Sequence, residues 1–180
     1  MFSMLTPFFR NNYNLTNINI NYCDFGEEGG RLFALAIGSS THKSLKDINL
    51  RNNDISEEGM VHIITALSMY PQLQTLNLEG NHLRKTACVA LATLLQCSAK
   101  EVQSLFISCN EIGDDGIEAL VPALTNCSCL KYLSITNNPS ITTSRSTNKK
   151  VDKKSIFIYP VWAYFTCGFL ALSTKVGTYT

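Results

Sequence analysis

Five segments of this chain repeat in one frame, and the frame leaves little freedom in what the chain can fold into. Taking Leu15 as position 1, apolar residues fall at positions 1, 4, 6 and 11, with Asn or Cys at position 9: Leu15, Ile18, Ile20, Cys23, Phe25. The frame returns as Leu45, Ile48, Leu50, Asn53, Ile55, then Leu73, Leu76, Leu78, Asn81, Leu83, and then Val102, Leu105, Ile107, Asn110, Ile112. A fifth copy, Leu130, Leu133, Ile135, Asn138 and Ile141, carries one extra residue before its last apolar position. The starts are 30, 28, 29 and 28 residues apart. Fixed periods of this length mark stacked repeat architectures.

Each unit has two halves. Positions 4 and 6 alternate with polar neighbours, the period of a half-buried strand. Position 9 follows, where the chain leaves the strand. There an Asn amide, which both donates and accepts, satisfies backbone groups released from the ladder. The turn ladder is therefore expected at Cys23, Asn53, Asn81, Asn110 and Asn138. Position 15 is small (Gly29, Gly59, Ala87, Gly116), and positions 16, 19, 20 and 23 form one apolar helical face. These are Met60, Ile63, Ile64, Leu67, then Cys88, Leu91, Ala92, Leu95, then Ile117, Leu120, Val121, Leu124. One strand and one helix cannot bury such a face alone, so neighbouring units must stack.

The pattern over residues 15–141 resembles leucine-rich repeats of the longer, ribonuclease-inhibitor-like class. Ran GTPase-activating proteins and the ligand-sensing arrays of innate immune receptors share that class. The resemblance implies an α/β solenoid, a horseshoe arc with a parallel concave sheet and outer helices, and a role in protein–protein interaction. Residues 5–11 also align with residues 120–126, each segment starting ten residues before a repeat start. Residues 1–14 are thus expected to form the end of a truncated repeat, as in a fragment of a longer array or a gene product that lost its front.

Charge and cysteine usage exclude several other classes. Residues 1–141 carry 9 Lys+Arg against 13 Asp+Glu. A mildly negative body is ill suited to nucleic acid, whose affinity rests on Lys and Arg neutralising phosphates. Seven irregularly spaced cysteines do not make a disulfide framework, and residues 1–10 lack a signal-peptide pattern. A reducing compartment, cytoplasmic or nuclear, is the expectation. The sequons at Asn14 and Asn126 are then chance matches.

Acidic pairs at Glu27–Glu28, Glu57–Glu58 and Asp114–Asp115 fall in the first helical turn, where negative charge complements the helix dipole. They are read as structural rather than catalytic. Repeat 3 carries Arg84–Lys85 instead, one position earlier at its helix start, with no gain evident from the sequence. His42, His62 and His82 are out of phase with the repeat and do not align as ligands. Cys127 and Cys129, one C-x-C with no second pair, make a weak metal or redox signal. No phosphate loop or nucleophile motif occurs, so neither enzyme activity, a cofactor nor a metal is expected.

Binding is expected on the concave face. Positions 3, 5, 7 and 8 point away from the core, which singles out Asn19, Tyr22, Asn49, Arg51, Asn77, Glu79, Phe106 and Tyr132 as candidate partner contacts. Phe106 and Tyr132 stand out, because aromatics on a solvent-facing sheet call for a partner. Five strands at ~4.8 Å spacing give a planar footprint of only about 300 Å², against roughly 800 Å² per partner in a standard interface. The connecting loops must add to it. The alternatives are a GTPase activator of the Ran type, suggested by the resemblance alone, and a tail-anchored membrane adaptor.

Beyond Ile141 the pattern stops. Residues 142–154 form a polar basic linker, and residues 155–174 run for 20 residues without a charge. Three readings of residues 155–180 stand side by side: a membrane tail anchor that leaves the repeats facing the cytosol, a cap folded over the last repeat, or non-native sequence from a misread frame.

Overall fold

The computed structural model describes residues 5–41 and 43–138. The linker and the uncharged segment of residues 142–180, with its three readings, lie outside them, as do His42, Ile141 and Cys167.

Among the described residues strand and helix alternate: α1 (Leu5–Asn11), β1 (Asn17–Asn19), α2 (Gly26–Gly38), β2 (Asp47–Asn49), α3 (Glu57–Leu67), β3 (Thr75–Asn77), α4 (Lys85–Cys97), β4 (Ser104–Phe106), α5 (Asp114–Asn126) and β5 (Tyr132–Ser134). The five strands form one parallel sheet in chain order. Its register follows the repeat frame, so that Ile18, Ile48, Leu76, Leu105 and Leu133 stand side by side. The expected α/β leucine-rich-repeat solenoid is the observed architecture.

Stacking buries what one unit could not. In repeats 2, 3 and 4 every side chain at positions 1, 4, 6 and 11 is at most 2% exposed. The ends are looser: Leu15 and Ile20 in repeat 1 and Ile135 in repeat 5 are only partly buried. The helix faces of α3 and α4 are buried as expected, whereas Ile117, Val121 and Leu124 on α5 are partly exposed. At the other end, edge-to-face packing of Phe9 on Phe33 (5.9 Å) and a tilted contact of Phe33 with Phe25 (5.6 Å) fill the space between α1 and repeat 1. Helix α1 ends at Asn11 as α5 ends at Asn126, in agreement with the internal alignment.

Small residues set how closely the helices approach. A Cβ on Gly30 would lie 2.9 Å from Ile55 Cγ2 and 3.1 Å from Gly59 Cα, and one on Gly59 would meet the same methyl at 2.9 Å. Helices α2 and α3 therefore touch through backbone. Helix α3 starts conventionally, with the Ser56 side chain accepting the Gly59 N–H at 3.2 Å and Glu57 and Glu58 in its first turn. Helix α4 has neither device; Glu57 reaches across from repeat 2 and accepts the Thr86 N–H at 2.7 Å.

Candidate concave binding face

The turn ladder positions this face, and four of its five expected members work as one device. The Asn81 NH2 donates to the carbonyls of Leu50, Leu78 and Glu79 at 3.0–3.2 Å, while its Oδ1 accepts the Asn53 and Ile55 N–H groups at 3.2 and 3.1 Å. Asn53, Asn110 and Asn138 repeat the pattern, each tying its own turn to that of the preceding repeat. All four are buried. Cys23 corrects the expectation. It is exposed, its thiol donates only to the Asn21 carbonyl at 3.3 Å, and it enters the ladder through its backbone N–H, which Asn53 Oδ1 accepts. A thiol has one weak donor and cannot replace a carboxamide.

Past the strands, position 8 adopts left-handed backbone in every repeat: Tyr22 (φ 55°), Asn52 (52°), Gly80 (68°), Cys109 (53°) and Asn137 (54°). Asn and Gly tolerate this conformation, and Tyr22 and Cys109 carry strain there. The Asn–Gly–Asn bias of the column was a legible signal that the repeat frame alone did not reveal.

On the sheet face itself, the Asn column is half committed. Asn49 Oδ1 accepts the Arg51 N–H at 3.1 Å, and Asn77 Oδ1 accepts the Glu79 N–H at 3.0 Å. Each carbonyl oxygen thus already holds one backbone N–H, and the amide NH2 groups are left as donors. Asn19 at the start of the column is exposed. Arg51 pairs with Glu79 at 3.4 Å across the seam between repeats 2 and 3, and Glu79 is largely covered, its side chain only 17% exposed. Asn17 donates to Asp47 at 2.6 Å one seam earlier.

Toward β4 and β5 the charges disappear. Ser108, expected to point outward, is buried because its hydroxyl meets Ser134 Oγ at 2.6 Å and accepts the Thr136 N–H at 2.9 Å. Beside this hydroxyl cluster lie the two aromatics. Pairing of Ser104 with Tyr132 and of Phe106 with Ser134 sets Phe106 and Tyr132 on a diagonal of adjacent strands. Tyr132 is 40% exposed and Phe106 is partly buried. Tyr22, 66% exposed, sits at the opposite end of the sheet and does not join them.

The loop side carries the other charged groups. The acidic pairs do lie in first helical turns. Arg84 and Lys85, for which the sequence showed no gain, bind the next repeat: Arg84 to Glu111 at 2.6 Å and Lys85 to Asp115 at 3.2 Å. Cys88 is buried, and burial together with the nearby charge of Glu57 pushes its thiol up to about 12, which makes it inert. Cys127 is partly buried and Cys129 is exposed, so packing accounts for only one of them. Among the described residues no cluster of His, Cys, Asp and Glu converges to hold a metal ion.

With this geometry in view, the comparisons with known proteins point one way. Residues 41–63 and 102–121 match the family profile for a leucine rich repeat. The chain is a leucine-rich-repeat protein. Human NACHT, LRR and PYD domains-containing protein 13 is 31% identical over 116 residues, 64% of this chain and 11% of that protein. The RAN GTPase-activating protein 2 of Arabidopsis thaliana is 25% identical over 135 residues, 75% of this chain and 25% of that one. This leucine-rich-repeat chain therefore spans a quarter or less of the curated relatives it matches. The tropomodulin C-terminal domain of Caenorhabditis elegans shares the fold with a TM-score of 0.61 at 20% identity, covering 74% of this chain and 81% of that one. The repeats and these relatives support a protein-interaction module.

Proposed function

We propose that the concave face binds a protein partner, with Phe106 and Tyr132 as its apolar anchors. The observation that carries this reading is the diagonal placement of two aromatics on β4 and β5, with Tyr132 exposed on a sheet face. Aromatics so placed are enriched among binding hot spots, where truncation commonly costs ~2 kcal/mol or more. Alongside them, the NH2 groups of Asn49 and Asn77 and the Arg51 guanidinium supply donors for a partner's carbonyl or carboxylate oxygens. Asn19 and Tyr22 extend the face at its far end, and Glu79 orients Arg51. The lack of disulfide patterning favours a cytoplasmic or nuclear setting.

The test is a comparison of Phe106→Ala and Tyr132→Ala with Val89→Ala, an exposed apolar residue on helix α4. Partners recovered with the wild-type chain are to be lost from the two aromatic variants alone, with melting temperatures preserved. Equal recovery by all three variants refutes the reading.

The match to a Ran GTPase-activating protein over 75% of the chain favours a second reading, stimulation of GTP hydrolysis by a small GTPase. Single-turnover GTP hydrolysis separates the two: acceleration on adding the chain supports an activator, and binding without acceleration supports the interaction module.

A further inference from the structure

Repeat 3 is the electrostatic exception on the loop side of the array. Position 10 holds Asp24 in repeat 1, Asp54 in repeat 2 and Glu111 in repeat 4, but His82 in repeat 3. The His82 ring lies between the two neighbouring carboxylates. Nε2 is 2.7 Å from Asp54 Oδ1, and Nδ1 contacts Glu111 Oε1 directly. A neutral imidazole carries one N–H and an imidazolium carries two. With a carboxylate on each nitrogen, only the charged ring satisfies both; the neutral ring would aim a lone pair at a carboxylate oxygen.

The remaining charges around the ring are asymmetric. Glu111 also receives Arg84, through Nε at 2.8 Å and Nη2 at 2.6 Å. Lys85 is engaged with Asp115, and Glu57 with the Thr86 N–H. Glu111 therefore keeps a cation if the ring loses its proton. Asp54, 69% exposed and ion-paired with His82, has water to fall back on.

The geometry points to His82 as a proton-operated clasp that joins repeats 2, 3 and 4 when charged and releases Asp54, and with it the seam between repeats 2 and 3, when neutral. That seam is also crossed by the Asn81 bonds to Asn53 and Ile55 and, on the concave side, by the Arg51–Glu79 pair. The clasp stands whether or not the concave face binds a partner.

Glu111 first, and then Asp54, raises the proton affinity of His82 above its ordinary 6.5. His82 first, and then Arg84, holds Glu111 below its ordinary 4.5. For a group raised on folding, the stabilisation is fully present below the unfolded value and is lost as pH rises through the folded one. For Glu111, lowered on folding, it is lost as pH falls through the depressed value. The clasp is thus closed between these limits and opens on the alkaline side at a pH above 6.5.

An NMR titration of the full chain from about pH 5 to 9 tests this, combined with amide exchange corrected for the intrinsic pH dependence. The His82 ring should titrate above 6.5. Protection at Asn53, Ile55, His82 and Thr86 should fall through the same midpoint, while amides at the seam between repeats 3 and 4 stay protected. Asp54→Asn should lower the midpoint, and His82→Gln should abolish the step in a chain that remains folded. His62→Gln, on the exposed side of α3, should leave the step in place. A His82 midpoint at or below 6.5, measured on the unmodified chain, overturns the proposal, and so does a step that persists in His82→Gln.

Discussion

Replacing Asn81 by Ala removes five hydrogen bonds at the centre of the array without touching the apolar core. Two of them are accepted from the buried N–H groups of Asn53 and Ile55, and three are donated to carbonyls of repeats 2 and 3. Asn81 is 5% exposed, so water cannot take its place cheaply. Each stranded buried group costs about 1–3 kcal/mol. Carbonyls keep a second lone pair and suffer less than N–H groups, so the two donors dominate and the expected loss is about 2–5 kcal/mol. That equals the loss expected for Leu78→Ala, a fully buried strand residue, at roughly 2–5 kcal/mol. Asn81→Asp separates the halves of the device: a carboxylate still accepts from Asn53 and Ile55 but faces three carbonyls it cannot serve. Urea unfolding followed by circular dichroism gives the midpoints, and unchanged slopes license the comparison. A loss below about 0.5 kcal/mol for Asn81→Ala would place it among ordinary surface changes and refute the ladder argument.

Gly59→Ala should destabilise despite alanine's better helix propensity, because its Cβ would press on the buried Ile55 methyl at 2.9 Å; Gly38→Ala, with nothing within 4 Å, should be neutral or stabilising in the same urea assay. Tyr70→Phe should cost about 1 kcal/mol, since the buried hydroxyl donates to the Ile37 carbonyl at 2.6 Å across repeats 1 and 2; an unchanged thermal midpoint would show that this bond contributes nothing. Deleting residues 155–180 should move the chain from membrane pellet to supernatant if the uncharged segment is an anchor, and should lower the melting temperature if it is a cap. No change in either assay would leave a segment with neither role.

The strands, helices and stacking were legible in the sequence because one frame, repeated five times, fixed the inward positions before any contact was known. Asn at position 9 could be read for the same reason, as its task is local and identical in each turn. Cys23 failed the same reading, since its residue type could not span two repeats. What the frame could not convey was contact between different positions of adjacent repeats. Arg84 and Lys85 looked like a local departure until Glu111 and Asp115 were placed beside them, and His82 looked out of phase until Asp54 and Glu111 flanked it. Ser108 is outward by frame and buried by its bonds to Ser134 and Thr136. On the concave face, the sequence placed Phe106 and Tyr132 on the correct diagonal, because register alone decides it. It did not show that the carbonyl oxygens of Asn49 and Asn77 each already accept a backbone N–H two residues on.

Site-specific photo-crosslinking tests the central claim most directly. A photoreactive residue at Ser134, on the concave side next to Phe106, is compared with one at Val89 on helix α4, each with a partner recovered by the wild-type chain. Crosslinks from Ser134, abolished by Tyr132→Ala and absent from Val89, are the predicted result. Crosslinks from Val89 with none from Ser134 would contradict a concave binding face.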